Sequence, residues 1–89
     1  MGSIVVEIYN GDGKVLRRKT VKIHGKYRIT LVAAMKVLHL IAAAKEYFDY
    51  VRKAKVKVEG VKPDQQFSSI IKKFSPIDVE VVFLEERVM

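Results

Sequence analysis

Residues 4–25 read IVVEIYNGDGKVLRRKTVKIHG, and how this stretch divides decides the fold. Ile4, Val6 and Ile8 alternate with Val5, Glu7 and Tyr9, the period of two that lays one side of a strand on a core. Asn10-Gly11-Asp12-Gly13 breaks the alternation with residues that tolerate positive φ, so the chain can reverse and a second strand, from Val15-Leu16, runs antiparallel to the first. Val21 and Ile23 have the wrong parity relative to Leu16 for one unbroken core face. That mismatch predicts a bulge near Arg18-Lys19-Thr20, or two short strands meeting there, with Arg17, Arg18 and Lys19 aimed away from the sheet. Lys22 and His24 then face solvent opposite Val21 and Ile23. The glycines of GDG lack the fixed spacing and the directly following helix of a phosphate loop.

Beyond Gly25 the pattern changes period. From Thr30 to Lys53 there is no Gly or Pro, and Ala, Leu, Met and Lys dominate, which predicts a helix of up to 24 residues, roughly 36 Å long. Val37, Ile41, Ala44, Phe48 and Val51 recur in steps of four and three as its buried stripe, and Asp49 stands one turn before Lys53 for an ion pair. Leu31, Met35, Leu38 and Leu40 widen the apolar arc beyond what a four-stranded sheet covers; a second copy of the chain would cover it, making a homodimer through this first helix.

Lys55-Val56-Lys57-Val58-Glu59 alternates as a third strand, valines inward and lysines outward. Asp64 caps a short second helix whose inner stripe is Phe67, Ile70, Ile71 and Phe74, and Ser75-Pro76 ends it. A fourth strand follows from Ile77 to about Leu84, apolar enough at Val82 and Leu84 to be covered on both faces. The order β-β-α-β-α-β implies an α+β fold, a two-layer sandwich of a four-stranded mixed sheet with two helices on one face. Eighty-nine residues leave room for one small basic domain, residues 1–89.

The charge is lopsided. Residues 1–62 carry 14 Lys or Arg against five acids, +9, whereas residues 63–89 carry three against five, −2. Between Asp12 and Glu46 lie 33 residues with nine Lys or Arg and no acid, a clustering that suits a surface built for a polyanion. Absence of Cys removes disulfides and thiolate chemistry and suits an intracellular, cytoplasmic setting. The many Lys and Glu, without Cys or Trp, resemble proteins of heat-loving organisms. Residues 29–44, interrupted by Lys36 and His39, are too short and too polar for a membrane span.

Catalysis finds little footing. His24 and His39 lie on different elements, without the spacing of a zinc site, and the adjacent Glu85-Glu86 point to opposite faces. Ser68 and Ser69 lie in a helix without a nucleophile-elbow setting. The expectation is a chain that is not an enzyme and needs no cofactor or metal. The basic set remains: Arg17, Arg18, Lys19, Lys22, Lys26 and Arg28 before the first helix, and Arg52, Lys53, Lys55 and Lys57 at its far end, of which Lys55 and Lys57 join the first six as the expected phosphate contacts. Many cations together bind phosphate backbones through counterion release without reading bases. Tyr27 is the one ring inside the acid-free block, which favours backbone binding to a duplex over base stacking.

Val21–Leu38, VKIHGKYRITLVAAMKVL, resembles the opening of Alba-type archaeal chromatin proteins, in which a strand ends in an Ile-Gly-Lys-Lys-Pro-like turn before an apolar, Ala-containing helix. Ile23, Gly25 and Lys26 match, while His24, Tyr27 and Arg28 depart. Lys55–Phe74, KVKVEGVKPDQQFSSIIKKF, is similar to that family's next strand, turn and second helix, keeping Gly60 but placing Glu59 where the family has a basic residue. The chain adds a hairpin before the matching strand and lacks the family's long C-terminal basic hairpin. The resemblance implies a dimeric, non-enzymatic DNA- or RNA-coating protein with Lys26 at the nucleic-acid face. The competing expectation is a β-grasp-like or other small α+β adaptor, whose sheet edge or apolar helix face docks a protein partner.

Overall fold

The computed structural model describes residues 2–23, 31–48 and 50–84. Its elements are β1 (Gly2–Asn10), β2 (Val15–Ile23), α1 (Leu31–Tyr47), β3 (Val51–Glu59), α2 (Gln65–Phe74) and β4 (Asp78–Leu84). The strands form one mixed sheet in the order β2-β1-β3-β4. β1 is antiparallel to both neighbours and β3 is parallel to β4, so β2, β3 and β4 share a direction and β1 is inserted, reversed, between β2 and β3. Both helices lie on one face, as the element order led one to expect.

The hairpin turn is closed by its own sequence. Asn10 Oδ1 accepts from the Asp12 and Lys14 amides at 2.9 and 3.0 Å, and Gly13 adopts φ +81°, a conformation that glycine takes without Cβ strain. The register steps from Ile8↔Arg17 to Tyr9↔Val15, leaving Leu16 as the extra residue. The bulge therefore sits at the hairpin end, not near Arg18-Lys19-Thr20, and β2 is one unbroken strand. It resolves the parity mismatch by turning Arg17 to the helix side, opposite Ile8, where the expectation had it leaving the sheet. Lys22 is exposed and Ile23 buried as the alternation requires; His24 lies outside the described residues.

Helix α1 ends at Tyr47, six residues short of the expected Lys53. Val51, Arg52 and Lys53 belong instead to β3, where Val51 and Lys53 pair with Asn10 and Tyr9, and Arg52 is a second bulge residue. Helix propensity over Tyr47-Phe48-Asp49-Tyr50 is low, and the ladder bonds that β1 offers outweigh what little the helix would gain. Val51 is buried from the strand, not from a helical stripe. Lys53 reaches Glu80 on β4 at 3.6 Å, while Asp49, its expected partner, lies outside the described residues.

The core lies between sheet and helices: Ile4, Val6, Ile8, Val56 and Val58 from the strands meet Ala34, Val37, Ile41, Ala44, Phe67 and Ile71 from the helices. Asp64 caps α2, accepting from the Gln66 and Phe67 amides at 2.8 and 3.2 Å. Phe67 and Ile71 are buried and Ile70 packs against them, but Phe74, in the last turn, is exposed with Lys73 over its ring. The expectation that β4 is covered on both faces also fails. Val79 is buried and Phe83 meets the Phe67 ring edge-on, yet Leu84 on the open face is exposed, because no layer packs there.

Candidate nucleic-acid interface

Strand β2 is an edge of the sheet and carries Arg17, Arg18, Lys19 and Lys22 with no acid, and Lys14 precedes it in the turn. Register places them in two rows. Arg17 and Lys19 oppose Ile8 and Val6 on the helix side, and Arg18 and Lys22 oppose Glu7 and Ser3 on the open side. Nine residues span roughly 30 Å, so the strand is a cationic rail presenting charge to both sides of its edge. Lys19 and Lys22 are exposed and have no ion pair among the described residues. Lys26, Arg28 and Tyr27 lie outside the described residues.

The alternation of β1 puts Glu7 on the face away from the core, yet it is buried. It is 2% exposed on the open face of the sheet, walled in by long side chains from both neighbouring strands. Arg18 donates through Nε and Nη2 to Glu7 Oε2 at 3.0 and 2.6 Å. Lys57 Nζ approaches Oε1 at 2.9 Å and the Tyr9 hydroxyl donates to the same oxygen at 3.0 Å. The Lys57 hydrogen bond, helped by those of Arg18 and Tyr9, outweighs burial and holds the Glu7 carboxyl down at about 2. Burial first, then the bond to Glu7, pushes the Tyr9 hydroxyl up. Two of the eight expected phosphate contacts thus already share a carboxylate, and together the three groups leave one positive charge. Lys55, half-buried, is the cross-strand neighbour of Glu7 on β3. The signal for this cluster was Glu7 itself, one acid in a strand flanked by basic ones.

At the hairpin end, Arg17 stacks over Tyr47 and Phe48, its Cζ 5.5 and 5.6 Å from their ring centroids. Tyr47 meets Phe48 edge-on at 4.9 Å, and Phe48 meets Tyr50 at 6.4 Å. None of these rings lies in the acid-free block; the early end of α1 brings them to it. An open cleft of about 500 Å³ on the other face of this end is lined by Tyr9, Arg52, Lys53, Lys55, Asp78 and Glu80 among others.

Among the described residues no group of three His, Cys, Asp or Glu could hold a metal ion. His39 is exposed on α1, and the Ser68 hydroxyl leans back on the Asp64 carbonyl at 3.4 Å. No described helix is long and apolar enough to cross a membrane. No family model matches the chain, and no curated protein or solved structure matches it.

Proposed function

We propose that this chain is a non-catalytic nucleic-acid-binding protein that holds the phosphate backbone along the β2 edge. Arg17, Arg18, Lys19 and Lys22 contact phosphates, and Lys55 and Lys57 extend the surface over the open face; Lys26 and Arg28, the other two expected contacts, follow β2 in sequence and lie outside the described residues. The observation that carries this reading is the acid-free cationic edge, whose one cross-strand carboxylate, Glu7, is buried and spent on Arg18 and Lys57. Charge of one sign along an extended strand attracts a linear polyanion and suits no small ligand in particular. The Alba-type resemblance points the same way and adds an intracellular homodimer assembled through α1. Leu31, Val32 and Met35, all more than half exposed on that helix, supply its apolar contact.

One observation favours a second reading, an adaptor that docks a protein. The same α1 residues, with Phe74 of α2, leave the helix layer apolar toward solvent, and cations on an edge strand also deter strand addition. Salt separates the two. Binding to labelled duplex DNA or RNA should weaken with a log–log slope of about −0.9 per phosphate neutralised on B-DNA, and Lys19→Glu/Lys22→Glu should reduce that slope. Absence of binding at low salt would overturn the nucleic-acid reading and leave the apolar helix face as the functional surface.

A further inference from the structure

We infer that the aromatic cluster at the end of α1 is a base-stacking platform, and that the preferred ligand is a single strand whose backbone follows β2. The inference rests on the nucleic-acid reading and specifies its substrate class. Tyr47 is 75% exposed and Tyr50 55% exposed, although burying such rings would remove a large apolar area from water. They are not loose. Tyr47 is held edge-on to half-buried Phe48, Phe48 is in ring contact with Tyr50, and the Arg17 guanidinium lies against Tyr47 and Phe48 together.

Three elements converge to make this arrangement. The Leu16 bulge turns Arg17 to the helix side, α1 stops at Tyr47, and β3 begins at Val51 so that Tyr50 falls in the intervening turn. Arg52, the next residue but one, is exposed, and its Cγ lies 3.8 Å from where a Cβ on Gly11 would stand, which puts this cation beside the hairpin tip. Exposed rings thus lie against Arg17 at one end of a strand that continues with Arg18, Lys19 and Lys22, with Arg52 at the nearby hairpin tip. Rings among cations at the head of a basic track are the combination that single-strand binders use, since every unpaired base offers a π-face and the backbone follows the positive charge. A duplex buries those faces in its own stack, so it can use the track and leave the platform idle.

The test compares a fluorescein-labelled oligothymidylate with a labelled DNA hairpin duplex at low salt, for the unaltered protein, Tyr47→Ala/Tyr50→Ala and Lys19→Glu/Lys22→Glu. The platform predicts that the tyrosine variant loses on the order of 30-fold in affinity for the single strand, at a few-fold or more per stacked base, and keeps its duplex affinity. The lysine variant should lose both. The chain has no Trp, so tyrosine emission, quenched by the oligothymidylate more than by the hairpin and with that excess lost in Tyr47→Ala/Tyr50→Ala, reads the stacking directly. Single-strand affinity unchanged in the tyrosine variant, with no excess quenching, overturns the platform while the nucleic-acid reading stands. Loss of self-association on light scattering, with affinity unchanged, also overturns it and makes the rings a protein contact. Failure of the unaltered protein to bind either probe overturns both readings.

Discussion

The sheet has two edges, and they are built from opposite charge. β2 carries four cations and no acid, whereas β4 carries Asp78 and Glu80 and no base. Both must avoid pairing with a stray strand, and charge achieves that with either sign. What distinguishes them is how each handles its counter-charge. On the β2 side Glu7 is buried and locked by Arg18, Lys57 and Tyr9; on the β4 side Glu80 meets Lys53 at 3.6 Å with both side chains about half exposed. The first arrangement is structural and leaves Lys19 and Lys22 exposed and without an ion pair among the described residues. The second is a solvated pair of no net charge.

The comparison can be broken most forcefully at Glu7. Glu7→Ala leaves Arg18 and Lys57 crowded without their carboxylate and should cost about 3 kcal/mol of unfolding free energy, the low end for breaking a buried pair because both cations reach solvent; urea unfolding reads it directly. Acid should act in the same sense. The Glu7 carboxyl is held at about 2 in the fold against an ordinary 4.5, so its contribution is fully present above about pH 4.5 and is lost as pH falls toward 2. Discounted for solvent around Arg18, the loss is on the order of 2 kcal/mol, and it should vanish in Glu7→Gln.

Smaller effects sharpen the contrast between the edges. Lys19→Glu/Lys22→Glu should weaken nucleic-acid binding about tenfold at low salt and leave the melting temperature nearly unchanged, since both side chains are exposed. Asp78→Lys/Glu80→Lys should instead tighten binding, by about two- to fivefold, if anions are steered by the whole surface; fluorescence anisotropy across salt concentrations measures both. Smallest of all, Glu80→Ala should change stability by less than about 0.5 kcal/mol, as exposed ion pairs do. A Glu80 effect equal to that of Glu7 would erase the distinction.

Much of the fold was legible because its elements have clean local signals. β1 shows an unbroken alternation, Asn10–Gly13 supplies an amide side chain and a glycine to close a turn, and Asp64 stands where a cap belongs. The end of α1 was harder to see because no Gly or Pro marks it. The sign present was the run Tyr47-Phe48-Asp49-Tyr50, poor helix formers that a stripe continuing through Phe48 and Val51 disguised. The site was legible as charge and illegible as geometry. The acid-free block announced a cationic surface, but Glu7 and the three rings stand outside it, Glu7 joining it across strands and the rings through the early end of α1.

The sequence by itself determined the element order, the hairpin and the lopsided charge, since each depends on residues within a few positions of one another. Only the tertiary structure decided that Leu16 bulges, that Arg17 crosses to the helix side, that Val51–Lys53 leave the helix for the sheet and that Glu7 is buried beneath Arg18 and Lys57. Each of those outcomes depends on which strands lie side by side. Register is a choice made between distant segments, in which ladder hydrogen bonds and a shared core outweigh weak local propensity.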